Sequence, residues 1–130
     1  MKFYLSVLLV FLISQTVALG AGPESGKDMY VQYCSSCHGR DGRGSGSVSG
    51  FLKITVPDLT TLRKSNKGVY PADRVIMAID GRRTVRGHGE PKMPVWGEAF
   101  VRETKDPKSA EVVTGQKEKR IADYVATLQR

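Results

Sequence analysis

Cys34-Ser35-Ser36-Cys37-His38 is the stretch on which the reading of this chain turns. Two cysteines three residues apart, with histidine directly after the second, form an attachment pattern for c-type haem. On a helix, positions i and i+3 share a face. Two thiols placed there can each form a thioether to one vinyl group of the same porphyrin. His38 follows at once, so its imidazole can reach the iron lying between those anchors. Three demands follow: a second axial ligand, an apolar envelope for a flat cofactor, and a route out of the cytoplasm.

The amino-terminal segment meets the last demand. Lys2 precedes an apolar run over 3–13 that only Ser6 interrupts, and Ser14, Gln15 and Thr16 then break it. Small residues follow at Ala18, Gly20, Ala21 and Gly22. This is the pattern of a secretory signal peptide over 1–20, which leaves one domain over 21–130 and points to the periplasm. The run is short for the roughly 20 residues a membrane span needs. An uncleaved anchor is the alternative, and only then does the chain touch a membrane.

Both cysteines lie in the motif, so no disulfide framework supports the fold. A domain of about 110 residues buries a modest core, and the chain is only 40% apolar. A covalently held haem adds the apolar surface that this core lacks.

The charge is lopsided. There are 20 Lys plus Arg against 13 Asp plus Glu, a net +7, and between residues 40 and 102 basic residues outnumber acidic ones twelve to six. A basic face beside a redox centre steers association with acidic partners, so redox proteins docking on that face near the haem edge are the expected partners. Nucleic acid is not an expected partner, since no binding motif accompanies the charge and the chain reads as exported. Arg40, Arg43, Arg82, Arg83 and Arg86 are candidates for pairing with haem propionates or for docking, although each alone also reads as a solvated charge.

The chain reads as all-α. Gly26, Met29, Tyr30 and Tyr33 fall at spacings of three and four, predicting a first helix over 24–37 that Gly39 ends. Small residues over 39–50, with Gly42, Gly44 and Gly46 alternating, predict a flexible surface loop beside the haem. Pro57-Asp58-Leu59-Thr60 opens a short helix carrying Leu59 and Leu62 inward, and Lys67-Gly68 breaks it. Another helix starts at Tyr70-Pro71-Ala72-Asp73 with the stripe Val75, Ile76 and Ile79, and stops at Gly81. Residues 82–95 show no periodicity and read as a long functional loop. A short helix is expected over 96–102. The last helix, from 109 or 114 to 129, places Ile121, Tyr124, Val125 and Leu128 on one face.

For the second axial position the methionines are Met29, Met77 and Met93, since Met1 leaves with the signal. Met29 lies on the cysteines' own side, and Met77 sits beside a helical stripe where methionine usually fills gaps. Met93 lies in Pro91-Lys92-Met93-Pro94, where flanking prolines hold the backbone extended. Methionine opposite histidine is an electron-transfer pairing. His88, between Gly87 and Gly89, is the competing ligand, although a lone loop histidine is most often simply solvated.

Taken together these residues resemble a class I c-type cytochrome, a small bacterial monohaem cytochrome c, over nearly all of 21–130. The resemblance rests on Cys34, Cys37 and His38 with Met93-Pro94 towards the other end. It is supported by Gly26 eight residues and Tyr30 four residues before Cys34. It implies a cytochrome c fold of four to five short helices around one covalently bound haem c, with the first and last helices crossing at Gly26 and an aromatic such as Tyr124 packed there. It also implies that the Pro57 carbonyl accepts a hydrogen bond from the ring of His38. Trp96 is either a propionate donor through its indole N–H or a core aromatic. The run Met93-Pro94-Val95-Trp96-Gly97 is similar to bacterial cytochrome subunits attached to larger redox enzymes.

The leading expectation is an electron carrier and not an enzyme on its own, with His38 and Met93 filling both axial positions. A labile Met93 would instead give a haem enzyme or gas sensor. A fixed subunit of a larger dehydrogenase or oxidase would place Phe51, Leu52 and Ile54 in an interface. A redox disulfide lacks the βαβ setting it needs, and a zinc site lacks ligands.

Overall fold

A computed structural model of the chain describes residues 24–82 and 93–130. The signal segment over 1–20 lies outside the described residues, as do His88, Arg83 and Arg86. The described part is all-helical. Its α-helices are α1 (Gly26–Tyr33), α2 (Ser35–His38), α3 (Leu62–Ser65), α4 (Ala72–Asp80), α5 (Trp96–Glu103) and α6 (Ala110–Thr127), with 3-10 turns at Ser49–Phe51 and Leu59–Thr61. Six α-helices, rather than four to five, arise partly because the expected first helix is broken. Cys34 leaves the helical run and caps α1 through its N–H to the Tyr30 carbonyl. α2 restarts at Ser35 and ends on Gly39.

The long helix α6 is the organising element and packs against α1, α4 and α5. The core contains Met29, Tyr30, Ile79, Phe100, Ile121, Ala122 and Val125, all buried. Tyr30, Phe100, Ile121 and Val125 are the largest fully enclosed apolar side chains, and burying each is worth about 1.5–3 kcal/mol. Phe100 comes from α5, where sequence periodicity gave no inward face. Met77 is 41% exposed on α4, so it fills no gap in the core.

The first and last helices cross where the resemblance implies. A Cβ on Gly26 would strike the Arg120 carbonyl of α6 and lie 3.4 Å from the Tyr124 Cβ. One turn on, the Tyr30 and Tyr124 rings sit 5.2 Å apart, tilted by 53°, a favourable aromatic arrangement. The Tyr30 hydroxyl donates to the Gly39 carbonyl at 2.8 Å. That bond ties the helix crossing to the end of the CxxCH turn.

Candidate haem-attachment site

Cys34 closes α1 and Cys37 lies within α2, so the two thiols are carried by one kinked helical run. Both cysteines are free and half-buried. Burial, and then the neighbouring Cys37, push the Cys34 thiol up to about 12. A thiol of that kind is not the activated thiolate a disulfide oxidoreductase uses. Among the described residues no group of three or more His, Cys, Asp and Glu side chains could hold a metal ion.

His38 ends α2 and is 8% exposed. Its Nδ1 lies 3.3 Å from the Pro57 carbonyl, 19 residues along the chain. A carbonyl only accepts, so the ring proton belongs on Nδ1 and the lone pair on Nε2. Burial holds the imidazole below its ordinary pKa, and the Pro57 bond partly offsets this. A buried, neutral, oriented imidazole with a free Nε2 is the form that ligates a metal.

The glycine-rich segment lies at the surface as expected, but it is tied down rather than loose. Gly44 N–H donates to the His38 carbonyl at 2.8 Å, Gly46 N–H to Cys37 at 3.0 Å and Val48 N–H to Ser36 at 3.0 Å. The loop is therefore bonded along the back of α2. Gly44 takes φ +81°, and a Cβ there would strike the Val56 carbonyl. Glycine serves here for close backbone approach, which brings Val56-Pro57 up to His38. Beyond the loop, Phe51 is 88% exposed and Leu52 is also exposed, whereas Ile54 is half-buried.

Met93 packs half-buried against the core and lies close to His38. Trp96, at the start of α5, lies 5.3 Å from the Tyr33 ring and 6.0 Å from Phe100. Tyr33 precedes Cys34 directly, so this aromatic group joins the Met93 arm to the cysteine helix. The Tyr33 hydroxyl donates to Glu103, which also takes Lys117 at 2.7 Å.

Of the arginine candidates, Arg82 is already committed. Its guanidinium bonds Asp80 at 2.5 Å and Glu111 at 2.8 Å, so its charge is met within the protein. Arg43 pairs loosely with Asp41 in solvent, and Arg40 is exposed.

Sequence reasoning missed two features. Asp80, Arg82, Glu111 and Glu118 form a partly buried charged cluster between α4 and α6. Burial, then Asp80, push the Glu118 carboxyl up to about 7. Gln129 and Arg130 bind the segment that follows Pro57. The helical period of α6 placed Glu118 one turn before Ile121, on the inward face, and was the available signal for it.

The donor set fits a covalently held haem: two free thiols on one helical run, an oriented buried imidazole and a thioether packed on the adjoining core. An all-helical domain built around such a CxxCH turn is a class I c-type cytochrome. Over residues 21–106 the chain matches the family Cytochrome C oxidase, cbb3-type, subunit III, and it belongs to that family. No curated protein and no solved structure matches it.

Proposed function

We propose that the chain is an exported monohaem electron carrier. Cys34 and Cys37 would hold one haem c through thioethers, and His38 Nε2 and the Met93 Sδ would be the iron's two side-chain ligands. The haem, when bound, supplies a one-electron ferrous–ferric couple. The observation that carries the reading is the His38 Nδ1 contact with the Pro57 carbonyl, which presents Nε2 while Met93 lies nearby. With both positions filled, no open site remains for a substrate. Pro57 orients the ring, and Trp96 forms an aromatic wall three residues beyond Met93. Acidic redox partners dock on the basic face near the haem edge, so their reduction of the protein slows with ionic strength.

The test is a visible spectrum of the purified native protein beside a Met93→Ala variant. Loss of the methionine–ferric charge-transfer band in the variant supports the assignment. Its retention, or prompt binding of carbon monoxide by the ferrous native protein, overturns it.

A second reading is favoured by Phe51 and by the family's own description. A phenylalanine this exposed, on a loop bonded to α2, suits a fixed subunit of a larger oxidase whose interface covers it. Co-purification from native membranes separates the two readings: a stable complex supports the subunit and a free protein the carrier.

A further inference from the structure

We propose that Gln129 and Arg130 are positioning residues for His38, holding the Pro57 carbonyl on its ring and so setting the ligand's basicity. The inference rests on the His38 ligation proposed above. Arg130 grips the segment after Pro57 three times. Its N–H donates to the Thr60 carbonyl at 3.0 Å, its Nε to Thr60 Oγ1 at 2.8 Å and its Nη2 to Asp58 Oδ2 at 3.0 Å. Gln129 Nε2 donates to the Leu59 carbonyl at 2.7 Å, while its Oε1 accepts from Arg63 N at 2.9 Å.

Asp58, the residue next to Pro57, is locked from within as well. Its Oδ1 accepts from Thr60 N at 2.8 Å and Thr60 Oγ1 at 2.6 Å. Thr60 is buried. Leu59 N–H donates to the Gly42 carbonyl at 2.7 Å, joining the clamped segment to the glycine loop behind α2. By contrast, residues 52–56, which lead into Pro57, form no helix or strand. The Pro57 carbonyl is held on its incoming side by the close approach of Gly44 to Val56 and Pro57, and on its outgoing side by Gln129 and Arg130.

The contact being set is sensitive. At 3.3 Å it already lies at the long end for an N–H···O bond, so a shift of a few tenths of an ångström decides whether it persists. A carbonyl on Nδ1–H raises the basicity of the opposite nitrogen. A more basic imidazole favours the ferric state, so releasing the clamp raises the reduction potential.

The experiment compares holoprotein variants Arg130→Ala, Arg130→Lys and Gln129→Leu with the native protein. Lys119→Ala serves as control, because Lys119 holds only an exposed ion pair on α6. The readouts are the midpoint potential and the solvent-exchange rate of the His38 Nδ1 proton in the ferrous protein. Arg130→Ala and Gln129→Leu should each raise the ferrous-to-ferric ratio at fixed potential by about threefold to tenfold, less than the 10–100-fold of deleting such a partner. Tenfold corresponds to about 59 mV for a one-electron couple. The Nδ1 proton should exchange faster in both. Arg130→Lys keeps a charge opposite Asp58 but loses the planar fork, so it should shift both readouts less while folding normally. Lys119→Ala should shift neither. Unchanged potential and exchange in a folded Arg130→Ala or Gln129→Leu protein overturn the clamp, even if thermal stability falls. Retention of the charge-transfer band in Met93→Ala overturns the Met93 assignment and leaves the clamp standing. A spectrum without histidine ligation overturns both.

Discussion

Gly26→Ala tests the crossing of α1 and α6 most sharply. The added methyl would strike the Arg120 carbonyl, which is backbone within α6 and cannot swing aside, with the Tyr124 Cβ 3.4 Å away. Overpacking of this kind costs about 1–3 kcal/mol. Alanine gains up to about 1 kcal/mol of helix propensity over glycine in a helix interior, but Gly26 is the first residue of α1 and recovers less. A net loss of about 1–2 kcal/mol should therefore remain. For a domain of this size each kcal/mol moves Tm by about 4–8 °C, which puts the expected fall at about 4–16 °C. Gly115→Ala is the internal control: it lies inside α6, and a Cβ there meets nothing within 4 Å. That substitution should raise stability by about 0.5–1 kcal/mol. Thermal unfolding of the three holoproteins, followed by far-ultraviolet circular dichroism, gives both numbers. A Gly26→Ala protein that melts at or above the native temperature would refute the close crossing.

Three further outcomes are expected. Tyr30→Phe removes the buried bond to the Gly39 carbonyl and should cost about 1–3 kcal/mol; an unchanged urea midpoint would show that the carbonyl finds another donor. Phe100→Ala empties the centre of the core and should cost about 3–5 kcal/mol, read in the same titration; a loss under 1 kcal/mol would mean that the Tyr33–Trp96 group closes over the gap. Glu118 holds its proton up to about pH 7 because burial and Asp80 disfavour its charge, with Glu111 adding to this and Arg82 opposing. The native state then binds more protons than the unfolded chain between about pH 4.5 and 7, so stability falls as pH rises through that window. Glu118→Gln should flatten this slope, and an identical slope in both proteins would sink the assignment.

The sequence carried the fold class because its signals were local. The CxxCH run, the stripe Val75-Ile76-Ile79 and the Gly26–Tyr30 spacing are each legible within about two helical turns. The break at Cys34 was not, since nothing in Tyr33-Cys34-Ser35 opposes helix and the kink depends on how α2 meets the glycine loop. Composition misjudged that loop because glycine marks freedom and close backbone approach alike. Only the neighbouring carbonyls of Val56 and Ser36 decide between them. Phe100 was hidden for another reason: Trp96-Gly97-Glu98-Ala99-Phe100 is too short for a period to emerge. Arg130 carried no local signal, because its partners, Asp58 and Thr60, lie about seventy residues away.

The two sides of the proposed iron site draw their support from one helix. On the His38 side, Gln129 and Arg130, which follow α6, secure the segment after Pro57. Towards the Met93 side, Glu111 near the start of α6 holds Arg82, and Arg82 holds Asp80. α5 is pressed onto that pair so closely that a Cβ on Gly97 would strike Asp80 Oδ1. Met93 lies four residues before Gly97, so the acidic cluster sets where its arm joins the fold. Ile121 and Val125, between these two anchorages, are buried against the core that Met29 and Tyr30 of α1 share. A displacement of α6 would therefore disturb both proposed ligands together, whereas loss of either anchorage alone should disturb only one. Glu118, buried where α6 faces Asp80 and Arg82, is accommodated there as the neutral acid below about pH 7, because burial and Asp80 both disfavour its charge.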